Sequence, residues 1–314
     1  MAAYRLIQTD RELNRLLERL RQENPQAVAV DLESEHNLHS YGIHVALIQI
    51  FDGREAHLLD TLALRDRGLL RALLEETPFV KVMFDASGDL ATLGTGLNMS
   101  IRPVFDLAVA ARLLGRPGSL AKLLDPAGAS GKSKFQKANW LRRPLPDEQL
   151  EYAAGDVLPL LELADRLLPE LVQKGLFYRF LSANARVQEK TRARDPYLGY
   201  QRLPEFKRFS PAQRRALAVL WRAREKYAEL HDLPPHNVAA HDVLAAVARG
   251  AQSDPREMAE AVGRRASRPR VDTAELADLI RRAGDAIREA QRDGREEGEA
   301  PPEGPEGREG PAER

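Results

Sequence analysis

Apolar positions along this 314-residue chain recur with a helical spacing in some stretches and as short continuous runs in others. The opening "MAAYRLIQTDRELNRLLERL" sets its leucines three and four apart, which predicts an amphipathic helix from the start of the chain. The runs "AVAVDLES" (27–34), "VALIQIFD" (45–52) and "AHLLD" (56–60) predict strands. The polar link between the first two is too short for a crossover helix, so they form an antiparallel meander. "RDRGLLRALLEE" reads as a helix, "FVKVMF" (79–84) as a buried strand and "SGDLATLGTGL" as the helix that follows it. "VFDLAVAARLLG" (104–115) predicts a helix capped by Asp106, and "DEQLEYAAGDVLPLLELADRLLPEL" (147–171) a long helix capped by Asp147. Strands first, then strand–helix alternation, give an α/β layer sandwich over residues 1–200.

The pattern then changes. "RDPYLGYQRLPEF" (194–206) is punctuated by Pro and Gly as linkers are, and "SPAQRRALAVLWRAREKYAELHD" (210–232) predicts a helix with a Ser-Pro start. Shorter helical patterns follow, which makes residues 205–290 a small all-α domain. The stretch 291–314 is rich in Gly, Pro and Glu and holds no large apolar residue, so a disordered acidic tail is expected there.

Composition narrows the picture. With 0 Cys, disulfides and thiolate metal sites are excluded. No apolar run reaches the ~18 residues of a membrane span, and no signal-peptide pattern opens the chain, which predicts a cytoplasmic protein. The net charge of +0 hides segregation: 14 Lys/Arg stand against 4 Asp/Glu from Gln173 to Lys226, and 7 against 1 from Arg116 to Arg143. Clustered base beside an acidic site points to a polyanionic partner.

The acidic residues stand at the ends of predicted elements. Asp31 and Glu33 alternate along the first strand and so share a face just where its apolar run stops. Asp85 and Asp89 follow the "FVKVMF" strand, and Tyr152 and Asp156 lie one turn apart on a helix whose Asp156 face continues into Leu160 and Leu163. Like charges side by side call for a cation, and oxygen donors without His or Cys favour Mg²⁺ or Mn²⁺. Two such ions ~3.5–4 Å apart serve in-line phosphodiester cleavage, and a Tyr one turn from a ligand can hold the attacking water.

Three segments carry a resemblance: "VDLESEHNLHSYGIHVALIQI", "KVMFDASGDLATL" and "WLRRPLPDEQLEYAAGDVLPLL" are similar to the three motifs of the DEDDy 3′–5′ exonucleases, specifically the ribonuclease D family. "FSPAQRRALAVLWRAREKYAELHDLPPHNVAAHDVLAAVA" resembles the helicase-and-RNase-D C-terminal (HRDC) module. The resemblance implies an RNase H-like exonuclease fold, two divalent metal ions, and release of 5′-mononucleotides from RNA 3′ ends such as those of tRNA precursors. It assigns Asp31 to both ions, Glu33 and Asp156 to the ion of the attacking water, Asp89 to the second ion, and Tyr152 to orienting that water. Phe84 departs from the His common in relatives, and Asp85 adds an acid where Asn or Asp is seen, which bears on substrate preference and removes no ligand. DNA is the alternative substrate, since the scissile group is the same, and a binding module without catalysis is the alternative function.

Other residues invite chemistry. Of 7 His, His36, His39 and His44 fall between the first two strands, where His39 can touch a terminal nucleotide or stand as a solvated loop residue. Tyr41, Phe135 and Trp140 can stack on bases, with core packing the default for Trp140. "GASGKSK" (128–134) lacks the full phosphate-loop pattern and reads as a basic loop. Glu35 is expected to end its strand in solvent.

Overall fold

The computed structural model describes residues 4–125, 134–189, 195–250, 254–265 and 271–296. The chain falls into two units, Met1–Arg194 with Asp232–Pro234, and Asp195–His231 with Pro235–Arg314.

The first unit is built on six strands: β1 (Tyr4–Ile7), β2 (Ala27–His36), β3 (Ile43–Phe51), β4 (Ala56–Asp60), β5 (Val80–Met83) and β6 (Val104–Asp106). They lie in the order β1-β4-β3-β2-β5-β6. The meander β2-β3-β4 is antiparallel as expected, and β5 joins β2, β6 joins β5 and β1 joins β4 in parallel. Helices cover both faces: α1 (Asp10–Glu23), α2 (Arg67–Arg71), α3 (Ser87–Gly96), α4 (Leu107–Leu113), α5 (Leu120–Leu124), α6 (Asp147–Val157), α7 (Leu160–Gln173) and α8 (Phe177–Gln188). Val28, Val30 and Leu32 of β2 pack on one side with Leu13, Leu17 and Leu20 of α1 and Leu90 and Leu93 of α3. Ala29 of β2, with Leu47 and Leu58, packs on the other with Ala153 and Val157 of α6 and Leu163 of α7. This is the α/β sandwich that the alternation predicts.

Four expectations about these elements need correction. The opening helix does not begin at the first residue: Tyr4–Ile7 is a strand, and Thr9 caps α1 in a reciprocal box with Glu12 that fixes Asp10 as its first residue. Val104–Asp106 is the edge strand β6, and Asp106 then caps α4 by accepting from the Ala108 and Val109 amides. The long helix from 147 is two helices, because Pro159 has no N–H to donate to the preceding turn. Its cap is Pro146 rather than Asp147, which instead sits in the first turn where the helix dipole favours an acid.

In the second unit, α9 (Pro204–Arg208), α10 (Pro211–Leu230), α11 (Pro235–Val238), α12 (His241–Arg249), α13 (Pro255–Gly263) and α14 (Thr273–Glu296) form an all-α body. Leu217, Leu220, Trp221, Leu244, Met258 and Ile280 are buried. Residues 196–202, which the sequence suggests as linker, form a 3₁₀ turn instead and join this unit. The Trp221 indole N–H donates to the Pro196 carbonyl at 2.8 Å, and a Cβ at Gly199 would stand 2.5 Å from the Trp221 ring. α14 runs to Glu296, past the expected start of the tail, and 297–314 lie outside the described residues, as does most of "GASGKSK".

One long-range ion pair fixes the segment that leads into α6. The Arg143 guanidinium forks onto Asp60 at the end of β4, with Nε–Oδ2 at 2.8 Å and Nη2–Oδ1 at 2.7 Å. It also donates to the carbonyls of Ala46 and Trp140. Burial alone would raise the Asp60 carboxyl, but Arg143, Gln8 and the Leu62 amide hold it below the usual range. Breaking such a pair leaves an uncompensated buried charge, so Arg143→Met is expected to cost about 3–5 kcal/mol in urea unfolding. The double variant Asp60→Leu, Arg143→Met should recover most of that loss, and a double variant no more stable than the single would refute the buried-charge account.

Candidate active site

β2 carries the first two acids. It is paired with β3 from Ala29 to His36 but with β5 only from Ala27 to Ala29, so the ladder beside Asp31 and Glu33 is open on the β5 side. Both side chains stand on the face covered by α6, since Val30 and Leu32 turn to the α1 side. The register shifts between Glu33 and Ser34, where Ala46 of β3 is left unopposed. Glu35 does not reach solvent as expected: it is 1% exposed. Its carboxylate accepts from the Leu38 and His39 amides and from the His39 ring, which holds it below the usual range although burial pulls the other way. His39 is thus committed to the loop that follows β2. His36 meets Ser34 and Thr92 at 3.0 and 3.1 Å, and the His44 ring contacts the Tyr41 carbonyl at 2.7 Å.

Asp89 comes from the first turn of α3, and its aim depends on the turn before it. Asp85 takes a left-handed backbone with φ 54°, a conformation that costs free energy for a residue with a Cβ. The Asp85 and Ala86 amides donate to the two carboxylate oxygens of Asp106, each at 3.1 Å. Asp106 is 1% exposed and also caps α4, so one buried carboxylate joins the β5–α3 turn to the β6–α4 turn. Asn184 of α8 closes the frame by accepting from the Asp106 amide at 2.9 Å and donating to the Val104 carbonyl at 2.6 Å.

Tyr152 and Asp156 share one face of α6, as their spacing predicts, and the Tyr152 side chain hydrogen-bonds to Asp156. Leu160 and Leu163 belong to the next helix and are buried in the same cluster as Ala153 and Val157. The Tyr152 ring packs against Phe135 and Trp140, with centroids 5.1 and 6.4 Å apart. Trp140 is buried in the core, and Phe135 is half-buried against Tyr152.

The four acids act on one another. Burial first, then Asp156, pushes Asp31 up to about 7. Burial together with Asp31, Asp156 and Asp89 pushes Glu33 up to about 9. Burial raises Asp156 to about 6 against the Tyr152 hydrogen bond, and burial with Asp31, Asp85 and Asp106 holds Asp89 well above its ordinary value. Among the described residues none of the four has a Lys, Arg or His ion-pair partner. Nor are any three His, Asp or Glu side chains there close enough together to enclose an ion. The donor set still fits hard divalent cations: four mutually repelling carboxylates, no thiolate, and no competing base among them.

The sequence did not point to Arg143, to Asp60 or to the full role of Asp106. Asp106 was visible only as a helix cap, and the Arg143–Asp60 pair spans 83 residues.

Comparison with known proteins places this geometry. The 3′–5′ exonuclease family profile matches residues 4–172. The chain is 31% identical over 247 residues to ribonuclease D of Xanthomonas oryzae pv. oryzae, covering 76% of this chain and 67% of that protein. It is 31% identical over 263 residues to ribonuclease D of Haemophilus influenzae, covering 82% and 65%. The chain thus spans about two thirds of these relatives and 46% of the length of the Escherichia coli ribonuclease D. The crystal structure of Escherichia coli RNase D, an exoribonuclease involved in structured RNA processing, superposes with a TM-score of 0.72 at 26% identity, over 89% of this chain and 75% of that one. The RRP6 catalytic core of Trypanosoma brucei shares the fold, with a TM-score of 0.71 at 24% identity over 91% and 81%. The chain belongs to the 3′–5′ exonuclease family and, within it, to the ribonuclease D group of exoribonucleases.

Proposed function

We propose that the chain is a two-metal-ion 3′–5′ exoribonuclease that releases 5′-mononucleotides from RNA 3′ ends, including those of structured RNA. The observation that carries this reading is the convergence of Asp31, Glu33, Asp89 and Asp156, without basic partners, at the face of β2. These four residues would hold two Mg²⁺ or Mn²⁺ ions, which when bound activate a water and stabilise the leaving oxygen of a phosphodiester. Asp31, between Glu33 on its own strand and Asp156 on α6, is the residue assigned to both ions. Tyr152 orients the attacking water through its hydroxyl, held at the site by Asp156 and by the packing of its ring on Phe135. The half-buried setting of the acids limits competing water and strengthens every charge interaction there.

Cleavage of matched, end-labelled RNA and DNA oligomers tests the reading directly. RNA should shorten from its 3′ end in Mg²⁺ or Mn²⁺ and not in EDTA, with DNA degraded more slowly. Asp31→Asn should lower kcat/KM by about 10³-fold, the scale of several kcal/mol of lost charge stabilisation. Tyr152→Phe should lower kcat by about 10²-fold while KM and metal affinity change little, as expected for a bond made in the transition state. An Asp31→Asn, Asp156→Asn double variant that cuts at the wild-type rate would sink the metal site. Faster cutting of DNA would reassign the substrate.

The raised carboxyls give a second test. Each folded value lies above its unfolded one, so the folded chain holds extra protons, and their stabilisation is present at low pH and lost as pH rises. For Asp156, Asp31 and Glu33 the loss runs through about 6, about 7 and about 9. The gap in melting temperature between Mg²⁺ and EDTA should therefore widen from pH 5.5 to pH 8.5. Asp31→Asn should melt higher than wild type in EDTA at pH 8.5 and close most of the gap. Equal gaps at both pH values would contradict a site assembled by charge.

The second unit is assigned to holding RNA, as an HRDC-like domain. Lys207, Arg208 and Arg215 are exposed around the start of α10. Each phosphate contact on a single strand steepens the dependence of log K on log salt by ~0.7. The triple variant Lys207→Glu, Arg208→Glu, Arg215→Glu should flatten that slope by about 1–2 while leaving cleavage of very short oligomers unchanged. An unchanged slope would make this unit a structural or protein-binding module.

A further inference from the structure

Gln49 sits in β3 with 0% exposure, and neither its Oε1 nor its Nε2 has a hydrogen-bond partner. Leaving a buried polar group unmet costs roughly 1–3 kcal/mol, so such a group invites the question of what meets it in the working protein. The ladder supplies an answer. Gln49 stands directly opposite Asp31 on β2 and directly opposite Leu58 on β4. Residues directly opposite in an antiparallel pair project from the same face, with Cβ atoms ~4.5–5.5 Å apart. Its same-face neighbours along β3, Leu47 and Phe51, are apolar, as is Leu58. Asp31 is the one polar side chain that the register sets directly beside the orphaned amide.

An ionised carboxylate has about four lone-pair sites, and cations facing it use only some of them. Groups that hydrogen-bond to the remaining sites fix the ligand's orientation, and their loss typically costs 10–100-fold in metal affinity or activity. We propose that Gln49 is a positioning residue for Asp31: its Nε2–H donates to the Asp31 carboxylate and holds it in the orientation that faces the cations. This rests on the assignment of Asp31 as a metal ligand. That bond gives the buried Gln49 amide the partner it otherwise lacks.

The variant Gln49→Met keeps the length of the side chain and removes the donor. In EDTA it should melt no lower than wild type, since no formed hydrogen bond is lost and two unmet atoms are removed. Its Mg²⁺ dissociation constant, read by calorimetry, should rise about 10–100-fold, or kcat on a single-stranded oligoribonucleotide should fall by that factor at unchanged KM. A second measurement uses the wild-type chain: titration with Mg²⁺ should move one of the two Gln49 side-chain amide protons downfield, and should not do so in Asp31→Asn. Mg²⁺ affinity and kcat both within twofold of wild type in Gln49→Met, or an amide signal that ignores Mg²⁺, would overturn the proposal. If Asp31→Asn is inactive while Gln49→Met behaves as wild type, only the role of Gln49 fails. If Asp31→Asn still cleaves, the metal-ligand reading fails first.

Discussion

Carboxylates that raise one another's proton affinity separate unless the chain around them is fixed by something stronger than their repulsion. In the first unit that work falls to buried groups outside the acidic cluster. Asp106 spends its oxygens on four backbone amides and so ties the turn before α3 to the edge of the sheet. Arg143 spends its guanidinium on Asp60 and on the carbonyls of Ala46, Trp140 and Arg142, and so ties the approach to α6 to β3 and β4. Both are charged groups whose partners are backbone or fixed side chains, and such bonds are the stronger kind. The repelling acids thus stand on elements that are anchored independently of one another, and bringing them together needs no attraction between them.

The acids themselves were legible in the sequence because each obeys a local rule. Asp31 and Glu33 follow strand alternation, Tyr152 and Asp156 follow helical spacing, and the strand-to-helix turn offers Asp85 and Asp89, between which only the family resemblance chooses. The limits of that reading are also local. Alternation carried past Glu33 puts Glu35 in the same row, yet its carboxylate is taken by the Leu38 and His39 amides of the loop after β2, which no strand rule foretells. The helical period from Asp147 runs on through Leu160 and Leu163, and Pro159 was the visible warning that it stops. The Arg143–Asp60 fork and the Asn184–Asp106 bond join residues 83 and 78 apart, and no short-range rule finds them.

Charge counting was the least discriminating signal. The excess of base from Gln173 to Lys226 points to a polyanionic partner, yet its members do different things. Arg224 is 2% exposed, stacks at 3.9 Å over Trp221 and pairs with Glu225, so it belongs to the core of the second unit. Arg214 donates to the Phe206 and Lys207 carbonyls and lies over the Phe206 ring, which locks the entry to α10. Such arginines bring packing and hydrogen bonds along with charge. The cations left to meet phosphate are fewer than the sequence total implies.

The way β2 is held also bears on which changes of chain length this protein can absorb. Its neighbours grip it from Ala27 to His36, and a slip of one residue would turn Asp31 and Glu33 toward the leucines of α1 and bring Val30 and Leu32 under α6. The cohesion of the sheet therefore resists any inserted residue that would shift these acids, and pushes the added length out toward the ends of the strand. α6 has no ladder to resist in this way. A residue inserted between Tyr152 and Asp156 would swing one about 100° from the other. The strand half of the site is buffered against insertion, and the helical half is exposed to it.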